Sequence, residues 1–231
     1  MTFPARRDRN FNLPTSSRRL PRTASRLLSP LVVCALVLLL RDGLPDRRWL
    51  MAPLGFYNPP PLVMEGGDPY LRALMRTIAV GEANYPQPYS ILYGGIRFDD
   101  LSQHPDRCMP IVAGPNVGNC TTAAGRYQFL SNTWKEVAED YHPQRSLQPS
   151  QEGYSFEPQY QDAVVYAWLA DENVWGTDLA AILRSGDIER VFSLLSGTWT
   201  SLGYGSETNI VSPYLSLVYR KVLREELKNV N

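Results

Sequence analysis

Histidine and cysteine are scarce in this chain: its 231 residues include two His and three Cys. His104 and His142 are far apart and there is no Cys-x-x-Cys, so neither a metal site nor a cofactor is expected. Gly-x-Ser-x-Gly, a Walker A loop, a dinucleotide fingerprint and His-Glu-x-x-His are all missing. Their absence sets aside serine-hydrolase, nucleotide-binding and zinc-protease chemistry. No apolar run reaches the ~20 residues of a membrane-spanning helix. What remains is carboxylates, amides and aromatics, a set that suits sugars. Aromatic faces cover sugar rings and amides bind hydroxyl or acetamido groups, although core packing is the plainer role for most Tyr and Trp.

Net charge is zero, but residues 1–50 carry +7 and the remainder −7. A mildly acidic body argues against nucleic-acid binding. The basic excess flanks residues 27–40, an apolar run bounded by Arg26 and Arg41. As a helix this run would span about 21 Å, the length of a signal-peptide hydrophobic region rather than of a full span. A long basic region precedes it and no Ala-x-Ala-like site follows it. The run is therefore read as an export signal or an uncleaved inner-membrane anchor, the alternative being a core helix of a soluble protein. Arg placement keeps the N-terminus cytoplasmic and sends the body to the periplasm or cell envelope. There Cys108 and Cys120 are expected to pair rather than remain separate thiols, closing a loop worth roughly 3 kcal/mol.

The chain divides into a basic, disordered tail (1–26), the signal or anchor segment (27–40), a Pro/Gly-rich linker (41–67) and one domain (68–231). The domain opens with a helix. Asp68 is a good N-cap and Pro69 suits the first helical position. Leu71, Leu74, Met75 and Ile78 recur at helical spacing, and the next position on that face is Glu82. Desolvation and the helix dipole would favour the neutral form of a carboxyl there, the state of a general acid. A solvated helix-end glutamate is the plainer alternative.

Residues 89–98 read as a β-hairpin turning at Gly94-Gly95, and 99–119 as an irregular loop. Asp99 and Asp100 follow the hairpin and read as turn or cap residues, with a supporting carboxylate as the other option. Thr122 can cap a short helix over 123–129, and Ser131 a second with Trp134, Val137, Ala138 and Tyr141 inward. Pro158 opens a helix whose face holds Tyr160, Ala163, Val164, Ala167 and Trp168. Thr177 caps another that ends at Gly186, Asp187 caps the next, and Ser212-Pro213 opens a terminal helix. The fold class is α+β, mainly helical, with a small β-hairpin lobe.

Gly81-Glu82, the stretch from Tyr93-Gly94-Gly95 through Phe98-Asp99-Asp100-Leu101-Ser102-Gln103-His104-Pro105, and Gly125-Arg126-Tyr127-Gln128-Phe129 together resemble the phage lambda lysozyme (endolysin) family in order and spacing. Weaker echoes continue in Gln161-Asp162-Ala163, Gly186-Asp187-Ile188, Trp199 and Gly203-Tyr204-Gly205. The resemblance covers about residues 70–227. It implies a lysozyme-like fold and cleavage of the β-1,4 bond between N-acetylmuramic acid and N-acetylglucosamine in peptidoglycan. It further implies lytic transglycosylation, which leaves a 1,6-anhydro product and uses one acid/base carboxylate rather than two. By position Glu82 is then catalytic, and Tyr89, Arg126, Tyr127, Gln128 and Tyr204 bind substrate; a role in holding structure stays open for Arg126, and a helix-surface amide is the plainer alternative for Gln128. Peptidoglycan strands and the membrane are the expected partners, nucleic acid is not, and a monomer is expected. A hydrolytic muramidase and a catalytically inactive glycan-binding envelope protein are the two rival readings. The apolar run, the linker and the Cys pair depart from the phage pattern and suit a bacterial envelope enzyme rather than a lysis protein.

Overall fold

The computed structural model describes residues 58–144, 153–205 and 209–229. The tail, the 27–40 run and the linker as far as residue 57 lie outside the described residues. Among those described, no helix is long and apolar enough to cross a membrane.

Helix α1 (Pro69–Glu82) is the centre of the fold. Asp68 caps it, its carboxylate accepting from the amides of Tyr70 and Leu71, with Pro69 in the first turn. The helix is buried on nearly all sides, not along one stripe: Arg76 and Thr77 are as enclosed as Leu74 and Ile78. It packs most extensively on the terminal helix, α7 (Leu215–Lys228), and also on α3 (Pro158–Ala170) and α5 (Leu179–Arg184). Burial of Arg76 is compensated from α7. Its guanidinium meets Glu226 at 2.8 Å and Glu225 at 2.8 Å, and Arg72 meets Glu226 at 2.6 Å. Arg76 and Glu226 are 4% and 2% exposed, so removing either partner would strand a buried charge.

Around this centre stand α2 (Ser131–Tyr141), α4 (Glu172–Trp175) and α6 (Ile188–Leu195). Asp187 caps α6 as the sequence indicates, whereas Asp178, not Thr177, caps α5. Gly186 follows α5 at φ 89°, a left-handed position that favours glycine. The inward face of α3 is rotated from the expected one and carries Gln161, Asp162, Val165 and Leu169 beside Val164. Two polar residues are tolerated inside because each finds several partners. Residues 58–67, read as the end of the linker, are seated on the helical body. Leu62 joins the core, and backbone groups of Pro59, Pro60, Pro61, Val63, Met64 and Gly66 are bound by Arg76, Arg126, Asp162 and Arg72.

The small β lobe is present but differently placed. Residues 89–98 turn back on themselves: the Leu92 amide donates to the Ile96 carbonyl at 2.7 Å and the Phe98 amide to that of Ser90 at 3.1 Å. Only an isolated bridge, Ile91 to Arg97, forms there, and 3-10 turns at Pro88–Ser90 and Tyr93–Gly95 replace regular strands. The regular antiparallel pair lies in the loop read as irregular. Strand β1 (Met109–Pro110) pairs with β2 (Cys120–Thr121), Met109 opposite Thr121 and Pro110 opposite Cys120. The expected Cys108–Cys120 disulfide ties this pair, with Cα atoms 5.4 Å apart.

The helix expected over 123–129 is a turn instead. Ala124 and Phe129 exchange both backbone hydrogen bonds, at 3.0 and 2.9 Å. Gly125 stands at φ 75° and Gln128 at φ 49°. A Cβ on Gly125 would come within 2.4 Å of Gln161 Oε1 and 2.7 Å of Phe156. Glycine is needed there for both reasons, and the enclosed backbone is paired with its neighbours rather than coiled. Thr122 caps across space: its Oγ1 accepts from the Ser131 amide at 3.0 Å, at the start of α2.

Candidate active site

Glu82 is the last residue of α1, and the chain leaves the helix immediately afterwards at Ala83, φ −144°. The Ser201 hydroxyl, in the 3-10 turn Thr200–Leu202, donates to Glu82 Oε1 at 2.5 Å. Gly81 makes that approach available. A Cβ on it would lie 2.4 Å from Ser201 Oγ and 3.0 Å from Ser201 Cβ. Asn209 donates to the Gly81 carbonyl at 3.1 Å, and Ser212 to the Ser201 carbonyl at 2.5 Å. The helix end and the 200–202 turn are thus bound to each other through both backbone and side chains.

Two further loops contact chain neighbours of these residues. Beyond Ala83 the chain brings Tyr85 against the Gly94-Gly95 turn, so closely that a Cβ on Gly95 would meet the Tyr85 hydroxyl at 2.2 Å. The 125–129 turn is joined to the same turn system, because Trp199 Nε1 donates to the Tyr127 carbonyl at 3.1 Å. The turn is also hung from the 89–98 segment by the Gly125 amide, which donates to the Ile91 carbonyl at 2.8 Å. Glu82 therefore stands where the end of α1 and the 200–202 turn meet, with the 93–95 and 125–129 turns connected to them by direct contacts.

The five expected substrate-binding residues fall into two groups. Tyr89, Arg126 and Tyr127 form a network around Asp162, with Tyr89 at its partly exposed edge. Tyr127 donates to Asp162 Oδ1 at 2.7 Å and Tyr89 to Oδ2 at 2.8 Å, while Arg126 donates to the Tyr89 hydroxyl at 2.9 Å and lies over its ring at 5.0 Å. Arg126 and Tyr127 are 0% exposed, so neither offers an atom to a sugar in this structure. Burial pushes both phenols up, with Asp162 adding to the rise. Burial also opposes the Arg126 charge, but Tyr127, Tyr89 and Asp162 outweigh it and keep the guanidinium ionised. Gln161 completes the network, accepting from the Arg126 amide at 2.9 Å and donating to the carbonyls of Tyr89 and Phe156.

Gln128 and Tyr204 make no hydrogen bond to Asp162 and form the second group. Gln128 is partly exposed, and its Nε2 donates to the Gly125 carbonyl at 2.9 Å. It holds a left-handed conformation that a non-glycine residue seldom adopts and that costs of order 1–3 kcal/mol. Tyr204 is 52% exposed and donates to Glu189 at 2.8 Å. That hydrogen bond is the main reason its phenol is raised. Of the two acids after the hairpin, Asp100 does serve a turn. Its Oδ1 accepts from the Ser102 amide at 2.9 Å and hydroxyl at 2.6 Å, which holds its carboxyl below the usual range. Asp99 and Asp100 line a polar cleft of about 360 Å³ together with Arg97, His104 and Arg107, and Glu82 is not among its lining residues.

Ser201, Gln161, Asp162 and the Arg76–Glu226 pair were not singled out by sequence reasoning as site or structural residues. Gln161-Asp162-Ala163 entered only as a weak echo of a family pattern. For Ser201 there was no local signal, since its contact with Glu82 spans 119 positions.

A family model described as Endolysin matches residues 72–223. The endolysin of Escherichia phage lambda is 31% identical over 120 residues, which is 51% of this chain and 64% of that protein, so the match spans a little under two thirds of the relative's length. Among solved structures, bacteriophage lambda lysozyme complexed with a chitohexasaccharide is similar at 23% identity and a TM-score of 0.49, over 69% of this chain and 97% of that one. A second structure of lysozyme from bacteriophage lambda gives 23% identity and 0.48, over 71% and 97%.

Proposed function

The chain belongs to the Endolysin family, and from that premise we propose that it is a peptidoglycan lytic transglycosylase with Glu82 as its general acid and base. The bond cleaved is the β-1,4 link from N-acetylmuramic acid to N-acetylglucosamine. Glu82 gives its proton to the glycosidic oxygen as the bond to the muramyl C1 breaks, and becomes a carboxylate. The C6 hydroxyl of the same muramyl unit then bonds to C1 and passes its proton to Glu82, leaving a 1,6-anhydro ring and the acid restored. One carboxyl serves both transfers because no external water has to be activated.

The observation that carries this reading is the placement of Glu82 at an abrupt helix end, held by Ser201 of the 200–202 turn. Other carboxylates are engaged elsewhere: Asp162 with Tyr89 and Tyr127, Asp100 in its own turn, Glu189 with Tyr204 and Ser216. Gln128 and the exposed Tyr204 ring are the side chains assigned to glycan binding, an amide and an aromatic face. Tyr89, Arg126 and Tyr127 act one step back, by holding the turn that carries Gln128. The protein works as an exported or inner-membrane-anchored monomer facing the wall. Support comes from the basic flanks of residues 27–40 and from a disulfide, which persists in oxidising compartments. N-terminal sequencing of the mature protein distinguishes a cleaved signal from an anchor.

Glu82→Gln keeps the shape and hydrogen bonding of the side chain but cannot donate and recover the acid proton. Clearing of a peptidoglycan suspension is expected to fall to background while glycan strands still bind. Clearing at the unmodified rate would refute the assignment.

A further inference from the structure

We propose that Ser201 is a positioning residue for Glu82: its hydroxyl orients the carboxyl group and stabilises the carboxylate that appears between the two proton transfers. The proposal rests on the reading of Glu82 as the acid, and adds to it a second residue that the sequence does not point to.

Three observations place Ser201 in this role. Its hydroxyl donates to Glu82 Oε1 at 2.5 Å while the residue is only 5% exposed, so few waters compete for the bond. Its backbone is itself held, the Ser212 hydroxyl donating to the Ser201 carbonyl at 2.5 Å and the Leu202 amide to the Trp199 carbonyl at 3.1 Å. The facing residue is Gly81, the one residue type without a Cβ to displace the hydroxyl, and here it is not required by a left-handed φ. A helix-interior glycine costs about 1 kcal/mol relative to alanine, and the close approach of Ser201 gives it a physical purpose.

The chemical consequence follows from where charge develops. Protonating the leaving oxygen turns a neutral acid into a carboxylate. A preorganised donor on one carboxyl oxygen is worth more to the charged form than to the neutral one, and needs no rearrangement when the proton moves. The same bond restricts rotation of the carboxyl group.

The test is steady-state turnover of purified glycan strands across pH by the full-length protein and its variants. Ser201→Ala is expected to lower kcat about 10- to 100-fold, the loss of one hydrogen bond to a charged group, with KM within about twofold. It should also move the alkaline limb of the pH profile upward, because the ionised form has lost its donor. Ser201→Thr keeps a hydroxyl and should recover most of kcat and the original limb. Tyr141→Phe removes a hydrogen bond to Asp171 without touching Glu82, Ser201 or the groups that hold them. It should lower thermal stability and leave the limb in place, which separates positioning from general support. An inactive Glu82→Gln beside a Ser201→Ala variant with unchanged kcat and an unmoved limb would overturn this inference and leave the proposed function standing. A fully active Glu82→Gln would overturn the proposed function instead.

Discussion

Gly81 is where a single atom matters most. Replacing a helical glycine by alanine normally stabilises a protein by up to about 1 kcal/mol. Here the added methyl would start 2.4 Å from Ser201 Oγ. Gly81→Ala is therefore expected to leave the helix intact and reduce turnover at least tenfold, by turning the Ser201 hydroxyl away from Glu82. Circular dichroism with a kinetic assay checks this, and full activity in the variant would mean that the close packing has no catalytic role. The two histidines also act singly. Each precedes a proline, and each ring nitrogen is used: His104 Nε2 meets the Phe129 carbonyl at 2.8 Å and its Nδ1 accepts from the Asp106 amide, while His142 meets the Ser155 carbonyl and accepts from the Gln144 amide. Burial holds both below the ordinary value of 6.5. The folded protein thus binds fewer protons than the unfolded chain once pH falls below 6.5. Stability should be full above that pH and decline as pH falls toward the lowered values. Urea midpoints at about pH 7.5 and about pH 5, above most carboxylate titrations, should show a lower midpoint at the acid end. An unchanged midpoint would contradict the neutral, buried assignment.

At the scale of elements, α1 owes its central place to charges as much as to its apolar stripe. Arg76 and Arg72 both end on Glu226 of α7. Glu226→Gln would leave Arg76 buried with one carboxylate, the half-exposed Glu225, and a loss of about 3 kcal/mol is expected in chemical unfolding, as for a buried pair stripped of one partner. A loss below about 0.5 kcal/mol would show the pair to be dispensable. This element also shows what the sequence made legible. The start of α1 was readable because Asp68, Pro69 and the 3.6-residue spacing are all local signals. The burial of its other face was not, because the Arg76 charge is met by carboxylates about 150 positions away. The 123–129 stretch was misread as helix for a related reason. Its conformation is set by Gln161 and Phe156 pressing on Gly125, and by Asp162 receiving Tyr127. The hairpin was right in location and wrong in regularity, since Pro88 and two glycines favour tight turns over a ladder.

Across the whole molecule, the candidate site was legible in part. Glu82 could be picked out by its place on the helix and by a family resemblance, and the structure puts it at the end of α1 against the 200–202 turn. Arg126 and Tyr127 stood out by the same resemblance, yet they sit in the interior. A pattern of residue types does not distinguish a side chain that touches a ligand from one that holds the turn beside it. Their network reaches outward as well as inward: Arg126 binds the carbonyls of Pro60 and Pro61, and Asp162 the amides of Val63 and Met64. The 58–67 segment and the turn bearing Gln128 therefore share the same buried charges. That coupling could not be read from the sequence, where the prolines indicated only a spacer.

Cleavage of the glycan by one acid, Glu82, with intramolecular attack is the proposed reaction. Mass spectrometry of peptidoglycan digested to completion by the purified protein tests it most directly. The expected muropeptides end in 1,6-anhydro-N-acetylmuramic acid and are absent when Glu82→Gln is used. Products with free reducing ends and no anhydro sugar would contradict it and identify a hydrolase.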